Sequence, residues 1–388
     1  MKLAMVGAVS GDERIDCGRY DVVALAEALA RHGHEVRVLT AAAPKTPLPA
    51  PEGVVVERLP VDTTGMTRPE DLIPLIGDLG HHLVETFDGT APDVVHCQGW
   101  AYGMAAQLAA KRRPVATVQA FAGLSATARR RRGNVGQPAT TVKIESLLAR
   151  NATAVTVACH DDMQEVIRLG CPRARVAVLP PGIEVDEVPA EEIVSRGAEP
   201  SRRIVAVARD FTPQQGLGQM VRVLPSVGAA ELVLVATDAA EGPHAGQIID
   251  MARTLKVDTR VRLHAGATGD ELTALFRTAD VVVAPALYEP SCDAVLQAMA
   301  CGAAIVAPAA GGVRDAVIAD VTGLLVPPGR LDALARALRS ILGQMVLRQG
   351  MGLAGRSRAR SRYSWDRIAT DAEVVYDSAR NRKPVNVH

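Results

Sequence analysis

Short apolar runs alternate along this chain with longer stretches in which apolar positions recur every three or four residues. Runs of about four to eight aliphatic and β-branched residues predict buried strands; a period near 3.6 predicts amphipathic helices. In the first half, the runs predict strands at Leu3–Val9, Glu35–Thr40, Val54–Leu59, Asp93–His96, Pro114–Gln119, Ala154–Ala158 and Arg175–Leu179. The helical period falls between them, at Val22–His32, Pro69–Phe87, Ala101–Lys111, Val142–Asn151 and Asp161–Leu169. After Pro180-Pro181-Gly182 comes a charged, weakly periodic stretch, Glu184 to Arg202, which reads as a connection. A second series follows, with strands at Ile204–Ala208, Leu232–Ala236, Val261–Leu263, Val281–Ala284, Ala304–Ala307 and Leu324–Val326, and a small-residue helix at Ala294–Cys301. The helical tail, Trp365 to Ala379, has no strand after it.

Strands that lack polar alternation need cover on both faces, which parallel sheets obtain from their crossover helices. Two such series predict an α/β protein with two doubly wound parallel-sheet domains facing a cleft. The expected boundaries are residues 1–183 and 203–364, with a linker at 184–202 and a closing helix at 365–388. A chain of 388 residues is also too long for one ordinary core.

Composition narrows the partners. Lys+Arg and Asp+Glu both total 43, so no net field draws nucleic acid or an anionic membrane. The six cysteines form no C-x-x-C pair, so neither a zinc site nor a disulfide framework is expected. Reduced thiols point to the cytoplasm. The leading apolar stretch, Lys2 to Val9, is too short for a secretory signal, and no run approaches the roughly 18 residues of a membrane span. A dinucleotide-dependent oxidoreductase is disfavoured: the first strand lacks G-x-G-x-x-G, and Glu35 opens the second strand instead of ending it.

The densest chemical signal is Tyr288 to Gly329, YEPSCDAVLQAMACGAAIVAPAAGGVRDAVIADVTGLLVPPG. Glu289 follows an apolar strand, a helix opens a few residues later, and the next strand leads into Gly311-Gly312. Such strand-to-helix turns put backbone N–H groups and a carboxylate at the mouth of a parallel sheet, where phosphorylated ligands bind. Glu289 is equally a favourable charge at a helix N-terminus. A second signal is Arg129-Arg130-Arg131-Arg132, either a solvated mobile loop or an arm whose guanidinium forks hold an anionic acceptor.

The Tyr288–Gly329 stretch resembles the C-terminal signature of family 4 of the retaining GT-B glycosyltransferases, E-P-F-G-x-x-x-L-E-A-M-A-C-G, then G-G-x-x-E, then D-G-x-T-G-x-L-V-P-P. Three other stretches carry the resemblance over nearly the whole chain. YDVVALAEALARHGHEVRVLT is similar to the family's first helix and second strand, Asp93 to Trp100 to D-V-V-H-x-H-x-W, and Arg209 to Gly216 to R-x5-K-G. The resemblance implies a GT-B fold of two Rossmann-like domains. It implies retaining transfer of a sugar from a nucleoside-diphosphate sugar to a small-molecule acceptor, without cofactor or metal.

By the same resemblance Arg209 and the position of Gln215 serve the diphosphate, Glu289 faces the sugar, and Gln297 takes the ribose position. Main-chain groups at Cys292, Asp293 and Ala294 contact phosphate and sugar. Gln119 stands where the family has a histidine near the reacting carbon. His96 and Gln98 fall on the acceptor side; a histidine at a strand end also serves as a structural hydrogen-bonded group. Gly18 stands alone where the family has two glycines, as a phosphate contact or a plain turn. Glu145 matches a helix glutamate of the family.

Four family positions, His, His, Lys and Glu, hold Gln98, Gln119, Gln215 and Gln297. Each keeps hydrogen-bonding capacity and loses a charge or titratable group. Two readings follow. One is an active transferase with an unusual acceptor, a thiol or an anion, because the departing phosphate can take the acceptor's proton. The other is a degenerate homologue that binds a sugar nucleotide, or couples other activated groups, without ordinary glycosyl transfer. The sequence leaves the oligomeric state open.

Overall fold

The structure is a computed structural model that describes residues 1–8, 22–41, 51–64, 66, 69–132, 139–184, 202–238 and 242–382, with backbone alone at 132 and 139. The chain divides into two compact units, Met1–Gly182 with Trp365–His388, and Ile183–Ser364.

In the first unit the order is β1 (Lys2–Val6), α1 (Val22–Arg31), β2 (Glu35–Thr40), β3 (Val54–Arg58), α2 (Ile76–Gly89), β4 (Val94–Gln98), α3 (Trp100–Arg112), β5 (Ala116–Phe121), α4 (Ser125–Arg132), α5 (Ala139–Asn151), β6 (Ala154–Val157), α6 (His160–Arg168) and β7 (Val176–Val178). Its strands pair in parallel in the order β3-β2-β1-β4-β5-β6-β7. Successive strand residues point to opposite faces and both faces are apolar. Leu3, Met5 and Val94 join the layer that contains α1, while Ala4, Val6, Val95 and Cys97 join the layer that contains α2 and α3.

The second unit runs β8 (Arg202–Ala208), α7 (Leu217–Val223), β9 (Ala230–Ala236), α8 (Gly242–Thr254), β10 (Val261–Ala265), α9 (Gly269–Thr278), β11 (Val281–Val283), α10 (Asp293–Ala300), β12 (Ile305–Pro308), α11 (Gly311–Ala316), β13 (Gly323–Val326), α12 (Leu331–Gly343) and α13 (Met345–Tyr363). Its parallel order is β10-β9-β8-β11-β12-β13. Ile204 and Ala206 pack with Leu217 and Val221 on one face; Val205 and Val207 pack with Val295 and Leu296 on the other.

The last helix, α14 (Trp365–Arg380), belongs to the first unit. Its Ile368, Ala369, Ala372 and Tyr376 complete the layer over Leu3 and Met5. His32 and His34 both reach Glu373 Oε1 at 2.9 Å, and Arg31 reaches Asp366 at 2.8 Å. Where the chain enters and leaves the second unit, the Ile183 amide donates to the Tyr363 carbonyl at 2.8 Å.

The observed elements depart from the predicted ones at named places. Residues 69–75 wind as a 3₁₀ turn containing Pro74, and α2 begins only at Ile76, because proline supplies no N–H and crowds the preceding turn. β4 and β5 run two residues past their predicted ends, so Gln98 closes β4 and Gln119, the expected last residue of its strand, lies within β5. The arginine run is helical, not a loop. Most of the expected linker, residues 185–201, lies outside the described residues.

Helix α13 crosses α10 at a point with no space to spare. A Cβ on Gly352 would lie 2.0 Å from the Gly302 carbonyl oxygen, whereas Gly350 faces open space. Replacing Gly352 by alanine is therefore expected to cost about 2–3 kcal/mol of unfolding free energy through overpacking. The same change at Gly350, inside an exposed helical turn, should add about 0.5–1 kcal/mol. Urea unfolding of the two variants checks the opposite signs.

Candidate active site

In each sheet the chain first winds outward to one side and then returns to wind to the other. The reversal falls between β1 and β4 in the first unit and between β8 and β11 in the second. Beyond the C-terminal strand ends at such a point the flanking loops diverge and leave a crevice. The predicted residues can be placed on these two edges.

In the second unit the ends of β9, β8, β11 and β12 stand side by side. Arg209 follows β8 directly and is exposed. Its Nε donates to Asp238 Oδ2 at 3.1 Å, and the Asp238 amide donates to the Arg209 carbonyl at 2.8 Å. Side chain and backbone thus clasp the two strand ends together. The next turn is set by the Thr212 amide donating to Asp210 at 2.7 Å, and it carries Gln215 into a buried position. Gln215 Oε1 has no hydrogen-bond partner in the protein. Asp238 escaped the sequence reading; its signal was an acidic residue just beyond a neighbouring apolar strand.

The Glu289 loop is seated on the glycine pair that follows β12. The Gly312 amide donates to the Glu289 carbonyl at 2.9 Å. A Cβ on Gly311 would lie 2.2 Å from that carbonyl oxygen, and one on Gly312 would lie 2.3 Å from the Pro290 oxygen. Gly311 also has φ +58°, a conformation that costs side-chain-bearing residues free energy. Both glycines are therefore required by the loop that carries Glu289. That loop ends with Cys292 in the left-handed region, φ 53°, a position where a non-glycine residue stores strain. Ser291 Oγ donates to Asp293 Oδ2 at 2.8 Å, and Asp293 and Ala294 open α10. The Val295 and Leu296 amides both donate to the Cys292 carbonyl, at 2.9 and 3.0 Å, and the turn before them carries the positive end of the helix dipole. Glu289 is half-buried beside it. Gln297, one turn further along, points its amide elsewhere: Nε2 donates to the Gly269 carbonyl at 3.3 Å and Thr273 Oγ1 at 3.1 Å.

In the first unit Gln98 closes β4 and lies over Gly7, whose Cβ would sit 2.9 Å from that of Gln98. Its Nε2 is buried without a partner in the protein. An orphaned donor at a strand end is the kind of group a ligand oxygen satisfies.

His96 and Gln119 differ from what was expected of them. His96 Nδ1 meets the Tyr376 hydroxyl at 2.9 Å, so it faces α14 and not an open edge. Burial pushes it down to about 4, which keeps the ring neutral. Gln119 is fully buried, and its Nε2 donates to the carbonyls of Gly99 and Ala120 at 3.1 Å and of Cys97 at 3.4 Å. It braces the ends of β4 and β5 and offers no exposed group to a sugar. The physical reason is shared: both side chains project from the sheet into layers already filled by helices. Cys97 is inert, its thiol pushed up to about 12 by burial. Gly18 lies outside the described residues.

The arginine run forms the second half of α4, which is held by α6 and α5. Arg130 pairs with Glu165 at 2.7 Å, and Arg131 with Asp161 at 2.9 Å, both on α6. Arg129 is half-buried on the same helix, and the side chain of Arg132 is outside the described residues. At the other end Glu145 accepts the amides of Ser125 at 2.7 Å and Ala126 at 3.3 Å, capping α4 from α5. The family glutamate therefore has a visible task here, and a helical period broken by charge had concealed the helix. Among the described residues no group of three or more His, Cys, Asp or Glu side chains is placed to hold a metal ion.

Two parallel-sheet units, each with polar groups gathered at its switch point, define a protein of the doubly wound α/β class, and comparison with known proteins narrows this. Residues 19–182 match the glycosyl transferase 4-like domain, and residues 190–358 match the glycosyl transferases group 1. A D-inositol 3-phosphate glycosyltransferase of Xylanimonas cellulosilytica is 28% identical, over 94% of this chain and 92% of its own. Sucrose-phosphate synthase from Thermosynechococcus elongatus superposes with a TM-score of 0.83 at 22% identity, over 97% of this chain and 98% of its own. Anabaena HepE in complex with UDP-glucose superposes with a TM-score of 0.73 at 17% identity, over 97% of this chain and 100% of its own. The chain belongs to the glycosyltransferases of GT-B fold and family 4 type.

The cap on α4 carries a pH signature. Burial, with the Asp162 carboxylate adding to it, pushes Glu145 up to about 7 against the lowering effect of its hydrogen bonds. A folded-state value above the unfolded one means that the stability Glu145 contributes is complete below its unfolded value of 4.5 and is lost as pH rises through 7. The neutral variant Glu145→Gln should therefore gain stability relative to wild type between pH 5 and pH 8, on the order of 2 kcal/mol. Urea unfolding at the two pH values measures it; an equal difference at both would contradict the assignment.

Proposed function

We propose that this glycosyltransferase is a retaining, metal-independent enzyme that moves a sugar from a nucleoside diphosphate to a small anionic acceptor. The donor end is assigned to the second unit. Arg209 faces the negative charge that builds on the departing diphosphate, helped by the first turn of α10 and by Gln215. Glu289 stands at the sugar, and the backbone of Cys292, Asp293 and Ala294 supplies N–H groups. The observation that carries this reading is the Glu289–Asp293 loop, fixed by Gly311-Gly312 beside the Arg209–Asp238 clasp.

The acceptor end is assigned to Gln98, with its orphaned amide, and to the arginines of α4. Their ion pairs with Glu165 and Asp161 mean that an anionic acceptor exchanges partners with them instead of filling an empty cradle. A relative whose acceptor is an inositol phosphate supports the anionic class. The UDP-glucose bound by a structural relative makes a uracil nucleotide the first donor to try. No described helix is long and apolar enough to cross a membrane, and a cytoplasmic setting fits the buried thiols of Cys97, Cys159, Cys171 and Cys292, none of which is in a disulfide.

A second reading, nucleotide binding without transfer, is favoured by one observation: Gln119 is turned into the core. Calorimetric titration with UDP, GDP and ADP at fixed salt tests the donor site common to both. One nucleotide should bind wild type at micromolar Kd, and Arg209→Ala should weaken it about 10- to 100-fold, the worth of a charge-assisted bond to phosphate. Equal binding by the variant would remove Arg209 from the site. Release of free sugar or glycoside from the bound nucleotide sugar then separates the transferase from the binder.

A further inference from the structure

The amide of Gln297 sits against a backbone carbonyl that can only accept. Across from it, the first turn of α9 presents the Gly269 carbonyl and the Thr273 hydroxyl. The hydroxyl's own proton is already given to the Gly269 carbonyl, at 2.9 Å. In this arrangement both partners act as acceptors, and because the Gly269 carbonyl can do nothing else, the NH₂ group is the end of the amide that faces α9. A carboxylate at this place could accept from the Thr273 hydroxyl but could not bond the Gly269 carbonyl, against which it would set an acceptor oxygen. The turn itself is held rigid by its own capping box, in which Thr268 and Glu271 exchange hydrogen bonds at 2.8 and 3.4 Å. Gln297 is thus the polar tie between a fixed turn on α9 and α10, the helix whose first turn carries Asp293 and Ala294.

We infer that Gln297 is a positioning residue of the donor site, whose amide N–H ties α10 to the Gly269 carbonyl of α9 by a bond that an acidic residue does not make. The inference rests on the donor-site reading given above, and it goes further by giving this glutamine a task in the frame of the second unit. Gln119 shows the same usage, its NH₂ group spent on backbone carbonyls, so the amide as a donor to the frame recurs in both units.

The tie is tested with Gln297→Glu, with Thr273→Val, which removes one acceptor at nearly constant shape, and with the double variant Gln297→Glu/Thr273→Lys. In the double variant a lysine ammonium supplies the donor from the opposite side. Two readouts are taken, amide hydrogen exchange of residues 268–273 in the free protein and calorimetric Kd for UDP. Gln297→Glu should speed exchange in that turn and weaken UDP about tenfold, Thr273→Val should do so to a smaller degree, and the double variant should recover most of both losses. UDP binding by Gln297→Glu as tight as wild type or tighter, or unchanged exchange, overturns the inference. Loss in the single variant without recovery in the double one also overturns it, since bulk and not donor polarity would then be the cause. Should wild type bind no UDP, the donor-site reading fails for that nucleotide, and the exchange data alone decide the tie: faster exchange with recovery supports it, equal exchange sinks it.

Discussion

A parallel strand cannot return to its neighbour by a tight turn; the chain must cross the sheet and start again from the same end. All the described ladders in both units are parallel. Two consequences follow together. Crossover helices cover both faces, which is why strand residues of either parity are apolar, as Val205 and Ile204 or Val95 and Val94 are. Every strand also ends on the same edge, so the groups that a covered sheet cannot accommodate collect there. Arg209, Asp238, the Glu289 loop and Gly311-Gly312 are neighbours for that reason, although about a hundred residues separate the first from the last.

At that edge close packing, more than charge, fixes the geometry. The Glu289 and Pro290 carbonyls lie where any side chain on Gly311 or Gly312 would stand. The loop is thus held by backbone contact, and side-chain identity between Ser291 and Ala294 is free to vary as long as the backbone path survives. Cys292 in a left-handed conformation shows the path surviving without a glycine. Charge acts within this frame. Asp238 holds the Nε edge of Arg209, and α10 directs its first-turn N–H groups to the same side. Ion pairs this exposed contribute little to stability, so the clasp serves orientation.

The four glutamines do not share one fate. Gln297 and Gln119 spend their NH₂ groups on the frame, at α9 and at the ends of β4 and β5. Gln98 and Gln215 each keep a buried amide atom without a protein partner, one at each switch-point edge; the Oε1 of Gln119 is also unpartnered, but it lies in the core behind an NH₂ group that is already spent. Burying an unsatisfied polar atom costs about 1–3 kcal/mol; at Gln98 and Gln215, which lie at the strand-end edges, binding would offset that cost, whereas Gln119 bears it in the core. A similar tension stands at Glu145, where two backbone N–H bonds favour the carboxylate and burial disfavours it.

The sequence by itself determined the two βα series, the strand positions to within a few residues and the family. These depend on hydrophobic period and on motifs read over short spans, and both are local. It also brought Glu289 and Gly311-Gly312 into one stretch, because a single crossover separates them. Only the tertiary structure decided what each polar residue does. Arg209 and Asp238 meet across two strands, His96 is claimed by Tyr376 from the far end of the chain, and Glu145 reaches α4 from the next helix. Gln119 and Gln297 are both glutamines at expected ligand positions, yet their amides point into the frame. An amide takes its role from whatever acceptor lies within about 3 Å, and chain order alone does not reveal which acceptor that is.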